Sequence, residues 1–312
     1  MNYKRILRAG LRFLTDKDYR LLWYLDLFKH KKMDDRRYIE IRYKAIFKKD
    51  IDLDHPLTFN EKMQWLKLYN KNPMHSVMVD KYLAKDYVTE RIGEQYVAKL
   101  LGVWDQVDDI DLTVLPDKFV LKTTHDCGGV VVCKDKATLN LKKTKRFLRK
   151  HLKREYFYHC REWPYKNIKP RIIAEEFLAD ANNEVLPVYK ILCFNGKPKI
   201  IQTIQNDKKP NETIDYFDTD WNVLELRQNY PNSPKPLIRP QKLDEMLEIA
   251  EKLAEGTSFL RVDLYSVNGD IYFSEFTFFS DAGFAPFYPE TWDKTLGDWI
   301  KLPEKEEKNT LG

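Results

Sequence analysis

The chain has 312 residues, of which 43% are hydrophobic and 13% aromatic, enough for a sizeable core in one large domain or two modest ones. No run of about 18 apolar residues occurs, and the charged start MNYKRILRAGLRFLTDKDYR lacks the apolar stretch of a signal peptide. We therefore expect a globular protein that acts in the cytoplasm. The four cysteines are widely spaced without a Cys-x-x-Cys pair, which disfavours a zinc site and a disulfide framework and predicts reduced core thiols.

Positive charge is concentrated at the front of the chain. Residues 1–49 carry 15 Lys and Arg against 6 Asp and Glu, with leucines and aromatic residues among them at roughly helical spacing. This pattern fits a helix that packs on its own protein and exposes a basic face, or a helix that docks on a membrane surface or another protein. We predict a basic helical region over residues 1–72, and the second arrangement would place the protein at the inner face of the plasma membrane.

Helix signals continue to residue 92. Thr58 and Glu61 have the spacing of a capping box, which predicts a helix ending at Tyr69. Pro73 begins a further helix, predicted as one segment from Met74 to Ile92. Gly93 then provides a natural C-terminal stop.

Strand patterns dominate the rest of the chain. We expect strands over residues 118–123, 129–134, 171–178, 187–194, 198–205, 259–267 and 271–277. A basic helix after residue 140 interrupts them, the proline-rich stretch 229–240 predicts a loop, and a helix should follow from Gln241 to Glu255. Residues 301–312 form a predicted flexible tail.

The stretch KFVLKTTHDCGGVVVCKD predicts a strand carrying Lys122, a loop with Gly128 and Gly129, and a second strand. Paired glycines leave backbone N–H groups free to approach phosphate oxygens, and Lys122 would bring a positive charge to the same anion. The Walker A pattern is absent, so this is a different kind of loop. The alternative is that the two glycines only turn a hairpin.

The stretch RVDLYSVNGDIYFSEFT places two carboxylates, Asp263 and Glu275, inside apolar strand-like runs. A three-residue loop over 268–270 puts Asp263 opposite Glu275 and Arg261 opposite Thr277, all on one face. A two-residue Asn-Gly turn would put the acids on opposite faces. Because adjacent carboxylates repel unless a cation lies between them, the first register predicts a divalent metal site, and an exposed hairpin with scattered charges is the alternative.

These features follow one another in a recognisable order: Lys81 on a helix, Lys122 on a strand, a Gly-Gly loop, the strand RIIAEEFLAD and the acidic hairpin. The order resembles the ATP-grasp superfamily. The stretches TFNEKMQWLKLYN, VDKYLAKDYV, LLGVWDQVDDIDLTVLPDKFVLKTTHDCGG, REWPYKNIKPRIIAEEFL and YKILCFNGKPK look like its TupA-like branch, which is associated with teichuronopeptide and surface-polysaccharide synthesis.

The resemblance implies an α+β fold in which two α+β subdomains clasp ATP. The ATP-grasp domain would span residues 73–300, with a smaller subdomain at about 115–178 and a larger one at about 179–300. The implied nucleotide-binding residues are Lys81 and Lys122 at the phosphates, Gly128 and Gly129 in the loop above them, and Glu175, Glu176 and Leu178 at adenine. Asp263 and Glu275 would bind Mg²⁺, with Thr277 as a third ligand where many relatives have Asn. Arg261 and Lys190 would stabilise the reacting groups.

The resemblance also implies a ligase. A substrate carboxylate would attack the γ-phosphate of ATP to give an acylphosphate, which an amine captures to form an amide. We expect an acidic sugar of a surface polysaccharide or its precursor as the carboxylate, and an amino acid or another amine as the acceptor. The basic N-terminus would then contact the membrane or the polysaccharide machinery.

Two other enzymes remain open at this stage. A glycosyltransferase is suggested by Asp218-Thr219-Asp220, which matches the Asp-x-Asp pattern, and a kinase would share the ATP half of the site. No nucleic-acid partner is expected despite eight Lys and Arg between Lys142 and Arg154, because such a role leaves the lysine, glycine and carboxylate pattern unexplained.

Overall fold

The computed structural model describes residues 11–29, 31–181, 185–207 and 209–305. The first ten residues of the predicted basic region and residues 306–312 of the predicted tail lie outside that range. Helices come first in the described chain: α1 (Lys17–Tyr24), α2 (Asp35–Phe47), α3 (Phe59–Tyr69), α4 (Pro73–Val79) and α5 (Leu83–Ile92). The capping box is confirmed, since Thr58 accepts from the Glu61 N–H while the Glu61 side chain binds the backbone of Thr58.

The single helix predicted from Met74 to Ile92 was wrong. Asp80 breaks it with extended backbone angles, and its carboxylate accepts from the N–H of Tyr82 at 2.9 Å, which starts α5. Asp80 is buried and pairs with Arg171 at 3.2 Å, so a tertiary contact overrides the helical pattern.

A four-stranded antiparallel sheet follows. It contains β1 (Leu100–Trp104), β2 (Phe119–Thr123), β3 (Val130–Cys133) and β4 (Ile172–Glu176) in the order β1-β4-β2-β3. Helix α6 (Leu141–Leu152) covers one face, where Leu121, Leu148 and Ala174 belong to a small core, and the short helix α7 (Phe157–Cys160) follows it. The sequence prediction missed β1, so this sheet begins before the predicted start at residue 115.

A five-stranded antiparallel sheet forms the larger body. It contains β5 (Val188–Phe194), β6 (Lys197–Gln205), β7 (Thr213–Phe217), β8 (Phe259–Val267) and β9 (Asp270–Thr277) in the order β7-β6-β5-β8-β9. Helices α8 (Leu243–Ala254) and α9 (Thr291–Trp299) pack with it. Phe59 and Met63 of α3 join the same core, so the larger body draws on residues before position 73.

The β8–β9 hairpin reaches the predicted register by another route. Asn268 and Gly269 form a two-residue turn with positive φ at both positions, and Val267 pairs with Asp270. Ser274 is then an extra residue, a β-bulge, between the pairs Leu264–Phe273 and Asp263–Glu275. The predicted three-residue loop was wrong. A two-residue turn alone would have put Glu275 on the opposite face from Asp263, and the extra residue at the bulge brings it back to the same face.

The structure also bears on membrane-spanning segments and on the four cysteines. Among the described residues, no helix combines the length and apolar character needed to cross a membrane. The cysteines are free thiols, and Cys133, Cys160 and Cys193 are buried. Cys127 is exposed, so the expectation of a core position was wrong for that residue.

Candidate active site

A row of charged side chains crosses the middle of the five-stranded sheet. Lys190 of β5 pairs with Asp263 of β8, which in turn pairs with Glu275 of β9. In a neighbouring row Arg261 is opposite Thr277. Since opposed residues in antiparallel strands share a face, and residues two apart along a strand do too, all five side chains lie on one face of the sheet.

Asp263 is the most buried charge in this row, with 1% of its surface exposed. Arg261 donates to its two carboxylate oxygens from Nε at 2.7 Å and Nη2 at 2.9 Å, and Lys190 Nζ donates to Oδ2 at 2.7 Å. Burial opposes ionisation of Asp263, but the two cations outweigh it and hold its pKa below the ordinary value. The carboxylate therefore stays ionised in a closed network.

Glu275 is in a different state from Asp263. Its side chain is 40% exposed, and its ion-pair contact is a long one, 3.8 Å from Arg261 Nη2 to Oε1. Of the two facing carboxylates, Glu275 is the one open to a ligand.

A second group of charges lies on the four-stranded sheet, on the face away from the small core. Glu175 is buried and forms ion pairs with Lys85 Nζ at 2.6 Å and with Lys122 Nζ. Burial raises the pKa of Glu175, but the two ammonium groups outweigh it and the net shift is downward. Burial likewise opposes the charge on Lys122, and Glu175 reverses that effect, so the pKa of Lys122 is raised. One carboxylate shared by two lysines leaves a net positive charge on this wall.

The loop between β2 and β3 is tied down from three sides. Lys81 Nζ donates to the carbonyl of Asp126 at 2.8 Å, and Arg154 donates to the carbonyl of Cys127 at 3.0 Å. The Asp126 carboxylate lies 2.5 Å from Nδ1 of His151 and also contacts the Thr123 hydroxyl. Lys81 thus fixes the loop, and its side chain also lines the cavities between the two sheets.

Two neighbouring cavities separate the sheets, and Lys81 and Glu275 line both of them. The smaller, of about 20 Å³, is also lined by Lys85, Lys122 and Glu175. The larger cavity, of about 470 Å³, is also lined by Arg261 and Thr277 of the five-stranded sheet. Its other lining residues include Cys127, Tyr156, Glu162, Tyr165 and Asp281. The cleft therefore brings cations of both sheets to a shared space beside Glu275.

Some residues singled out from sequence lie elsewhere. The Glu176 carboxylate accepts from the N–H of Lys99 at 2.7 Å and so fixes the approach to β1. Leu178 is half-buried beyond the end of β4. Gly128 and Gly129 lie in the loop between β2 and β3, but, like Glu176 and Leu178, they are not among the residues lining the two cavities in the described chain.

Sequence reasoning missed a set of cavity residues that come from segments without an assigned role. Arg42 of α2 lies in the cavity wall, as do Glu162 and Tyr165 after α7 and Asp281 after β9. Glu162 and Tyr165 belong to the stretch REWPYKNIKPRIIAEEFL, which carried part of the family resemblance. The sequence alone did not show that their side chains line a cavity, because that depends on the fold. Asp218 of the Asp-x-Asp pattern instead accepts from the N–H groups of Asp220 and Asn222 and stabilises a turn outside both cavities.

A sequence model of the family described as TupA-like ATPgrasp matches residues 61–301, more than half of the chain. The chain belongs to the TupA-like ATP-grasp family. No curated protein matches it.

Solved structures with a similar fold include several ligases and a synthetase. D-alanine–D-alanine ligase from Bacillus anthracis, complexed with ATP, is 14% identical over 65% of this chain and 55% of its own, with a TM-score of 0.39. The corresponding enzyme from Helicobacter pylori is 14% identical over 78% and 69%, with a TM-score of 0.40. N5-carboxyaminoimidazole synthetase from Staphylococcus aureus is 13% identical over 64% and 44%, with a TM-score of 0.37. The chain spans about half the length of the first and third of these proteins.

The family implies ATP and a divalent cation, and the donor chemistry of the cleft can be compared with both. The lysines of the small cavity suit phosphate oxygens. Within the described residues, no group of three or more His, Cys, Asp or Glu side chains is arranged to hold a metal ion. Glu275 is open, Asp263 is already hydrogen-bonded, and Thr277 adds a hydroxyl. Because Mg²⁺ binds through one or two carboxylates and keeps waters and phosphate oxygens, this set fits Mg²⁺ that arrives with a nucleotide.

Proposed function

We propose that this protein is an ATP-dependent carboxylate–amine ligase that forms an amide through an acylphosphate. The observation that carries the proposal is the cleft itself. Lys122 lines it from the four-stranded sheet, and Glu275 and Arg261 line it from the five-stranded sheet. Lys85 of α5 and Lys81, just before α5, add two further cations. Opposed positive walls with one open carboxylate suit a triphosphate whose charge must be neutralised during transfer.

The chain's own groups divide the work in this proposal. Lys122 and Lys81 hold phosphate oxygens, with Gly128 and Gly129 in the anchored loop above them. Adenine lies at the end of β4, between the carbonyl of Glu175 and the N–H of Leu178, beside Glu176. Glu275 and Thr277, which line the large cavity, would hold Mg²⁺ directly. Asp263 would join them as the second carboxylate by giving up a hydrogen bond from Arg261 or Lys190. The cation would neutralise negative charge on the phosphates.

Arg261 is placed to act on the reacting centre. Its guanidinium pairs with Asp263 and also borders the large cavity, so Asp263 fixes its orientation. Burial opposes its charge, but Asp263 outweighs that effect and raises the pKa of Arg261 above its ordinary value, so the guanidinium stays cationic. A fixed cation there stabilises the transferring phosphoryl group and the oxyanion that forms when the amine attacks. Lys190 supports the same network.

The large cavity is the proposed place for the substrate that carries the carboxylate. Its volume of about 470 Å³ and its tyrosines, Tyr156 and Tyr165, suit a sugar ring better than an extended apolar chain. We propose an acidic sugar of a surface polysaccharide or its precursor as donor, and an amino acid or another amine as acceptor.

The exposed leucines of the basic front, Leu11, Leu14 and Leu27, support a peripheral contact with an anionic membrane or with the polysaccharide machinery. Sedimentation with phosphatidylglycerol vesicles should carry the protein down at low salt. Binding that equals that to phosphatidylcholine vesicles would contradict this contact.

Product analysis tests the ligase. The protein should be incubated with ATP, Mg²⁺, glucuronic or galacturonic acid or their UDP esters, and a mixture of amino acids. We expect ADP and phosphate in equal amounts together with a new amide mass, and little ATP use when the amine is omitted. AMP as the nucleotide product would contradict the proposal, because transfer of the terminal phosphoryl group leaves ADP.

The same mixture distinguishes the two alternatives. A stable phosphorylated sugar without an amide would indicate a kinase, which shares the ATP half of the cleft. UDP release without ATP use would indicate a glycosyltransferase.

A further inference from the structure

Glu162 is a buried carboxylate at the wall of the large cavity. Only 7% of its surface is exposed, and within the described residues its carboxylate has no hydrogen bond or ion pair. Burial raises its pKa to about 7, against the opposing pull of Lys67 and Arg261. A buried acid left unpaired is costly, so its position calls for a ligand that it can bind.

The groups around Glu162 come from several elements. Those that interact with it electrostatically are Lys67 of α3, Arg261 of β8, Asp281 after β9, Cys127 of the loop between β2 and β3, and Tyr156, Cys160 and Tyr165 of its own segment. Lys67 and Glu162 form no ion pair in the described chain, and the Lys67 ammonium instead donates to Gln64 Oε1 at 2.9 Å and to the carbonyl of Ala282 at 2.6 Å. Arg261 is likewise held by Asp263, to which its guanidinium donates.

The turn that carries Asp281 is held in an unusual conformation. Asp281, Ala282 and Gly283 have φ values of 46°, 54° and 61°, three consecutive residues in the left-handed region. The buried side chains of Gln64 and Lys67 bind its carbonyls and keep it there. Left-handed backbone is unfavourable at non-glycine residues, and it is typical of functional sites. The result is a second carboxylate, Asp281, at the wall of the same cavity as Glu162.

We propose that Glu162, with Asp281 beside it, forms the acceptor subsite, where it binds the ammonium group of the incoming amine and removes a proton from it. The inference rests on the proposed ligase and assigns the acceptor as an amine that is cationic at neutral pH.

The step balances without a further reactant. An ammonium group transfers one proton to the Glu162 carboxylate and becomes a neutral amine. Its lone pair forms a bond to the acylphosphate carbon, the bond from that carbon to the phosphate oxygen breaks, and phosphate leaves with the electron pair. The phosphate takes the second N–H proton, and Glu162 returns its proton to solvent. A carboxyl group that titrates near neutral pH is well matched to this exchange.

Binding can be tested without any ligase activity. In protein labelled with ¹³C at glutamate Cδ, the Glu162 signal is identified as the one absent from Glu162→Gln. We expect it to titrate near pH 7 and to shift on addition of methylammonium chloride but not of methanol. A signal that does not respond to methylammonium would overturn the inference, whatever the enzyme assay gives.

The enzyme assay separates this inference from the ligase proposal. Hydroxylamine is neutral at pH 7.5 and captures acylphosphates without a base. We expect Glu162→Gln to form hydroxamate from the uronic acids at a rate near that of the wild type, and to lose about 100-fold in kcat/KM for glycine. The rise in the glycine rate with pH near 7 should disappear, and Glu162→Asp should recover part of the activity. The exposed Glu90→Gln is the control. Equal loss with both nucleophiles would overturn the base role, whereas absence of hydroxamate in the wild type, with Glu162 still binding methylammonium, would contradict only the ligase.

Discussion

Asp263 and Glu275 face each other across one strand pair, but their surroundings assign them different energetic roles. Asp263 compensates two nearly buried cations, since the side chains of Arg261 and Lys190 are 12% and 16% exposed. Removing one partner of such a network leaves buried charge uncompensated, so we expect Asp263→Asn to lower the free energy of unfolding by about 3 kcal/mol. Glu275→Gln should change it by about 0.5 kcal/mol or less, because the side chain is partly exposed and weakly paired.

Urea titrations of both variants check this prediction, and ATP consumption should fall in both. The sign of the pH dependence follows from the lowered pKa of Asp263. Its stabilising effect is present above the ordinary aspartate pKa and is lost as pH falls below it, so the gap between wild type and Asp263→Asn should narrow in acid. Equal stability of the two variants at pH 7 would contradict the division of roles.

At the scale of elements, the loop between β2 and β3 offers a matched pair of glycines. A Cβ at Gly129 would lie 1.7 Å from the Thr123 hydroxyl and 2.7 Å from Asp126 Oδ1, within the hydrogen-bonded base of the loop. A Cβ at Gly128 would meet nothing within 4 Å, although its φ of +83° disfavours other residues. We expect Gly129→Ala to lower the free energy of unfolding by about 3 kcal/mol and Gly128→Ala to lower it by about 1 kcal/mol. Thermal unfolding measures both, and the reverse order would show that the loop base is more adaptable than its packing indicates.

Most elements were predictable because they depend on local signals. The capping box at Thr58 and the alternating runs of β5, β6 and β8 lie close to their predicted limits. Strand β1 was not predicted, because its residues are half-buried throughout and it pairs with β4 at the sheet edge. Asp263 was placed opposite Glu275 because two errors cancelled, one in the turn and one at the bulge of Ser274. Bulges depend on packing across the sheet, which local patterns do not contain.

The same limit applies to the site. Lys122 and Glu275 stood out because charges inside apolar strands are unusual. Glu162 could not be distinguished in this way, since it lies in a short irregular segment with charged neighbours. Its lack of a partner becomes visible only when α3, β8 and the turn at Asp281 come together around it.

At the scale of the whole molecule, the two sheets have separate cores, and the cleft lies between them. The small core draws on β2, β4 and α6, whereas the large core combines the five-stranded sheet with α3, α8 and α9. Lys122 belongs to the first body and Glu275 to the second, so a nucleotide that binds both joins two units that can otherwise open separately. A ligand that binds only the closed form raises the free energy of opening by about 2.7 kcal/mol when it is present at 100 times its dissociation constant.

Hydrogen exchange measures this coupling. We expect ATP with Mg²⁺ to slow amide exchange in β2, β3 and β4 by about 100-fold, since opening of the small body then requires release of the nucleotide. Lys122→Met should abolish that protection while leaving exchange in β5 and β6 unchanged, because Lys85 still pairs with Glu175 and the large core is not touched. Lys134→Met, which removes an exposed lysine just after β3, is the matched control and should keep the protection. Protection confined to β8 and β9, with β2 to β4 unaffected, would mean that the nucleotide contacts one wall alone, and the assignment of Lys122 to the phosphates would then be wrong.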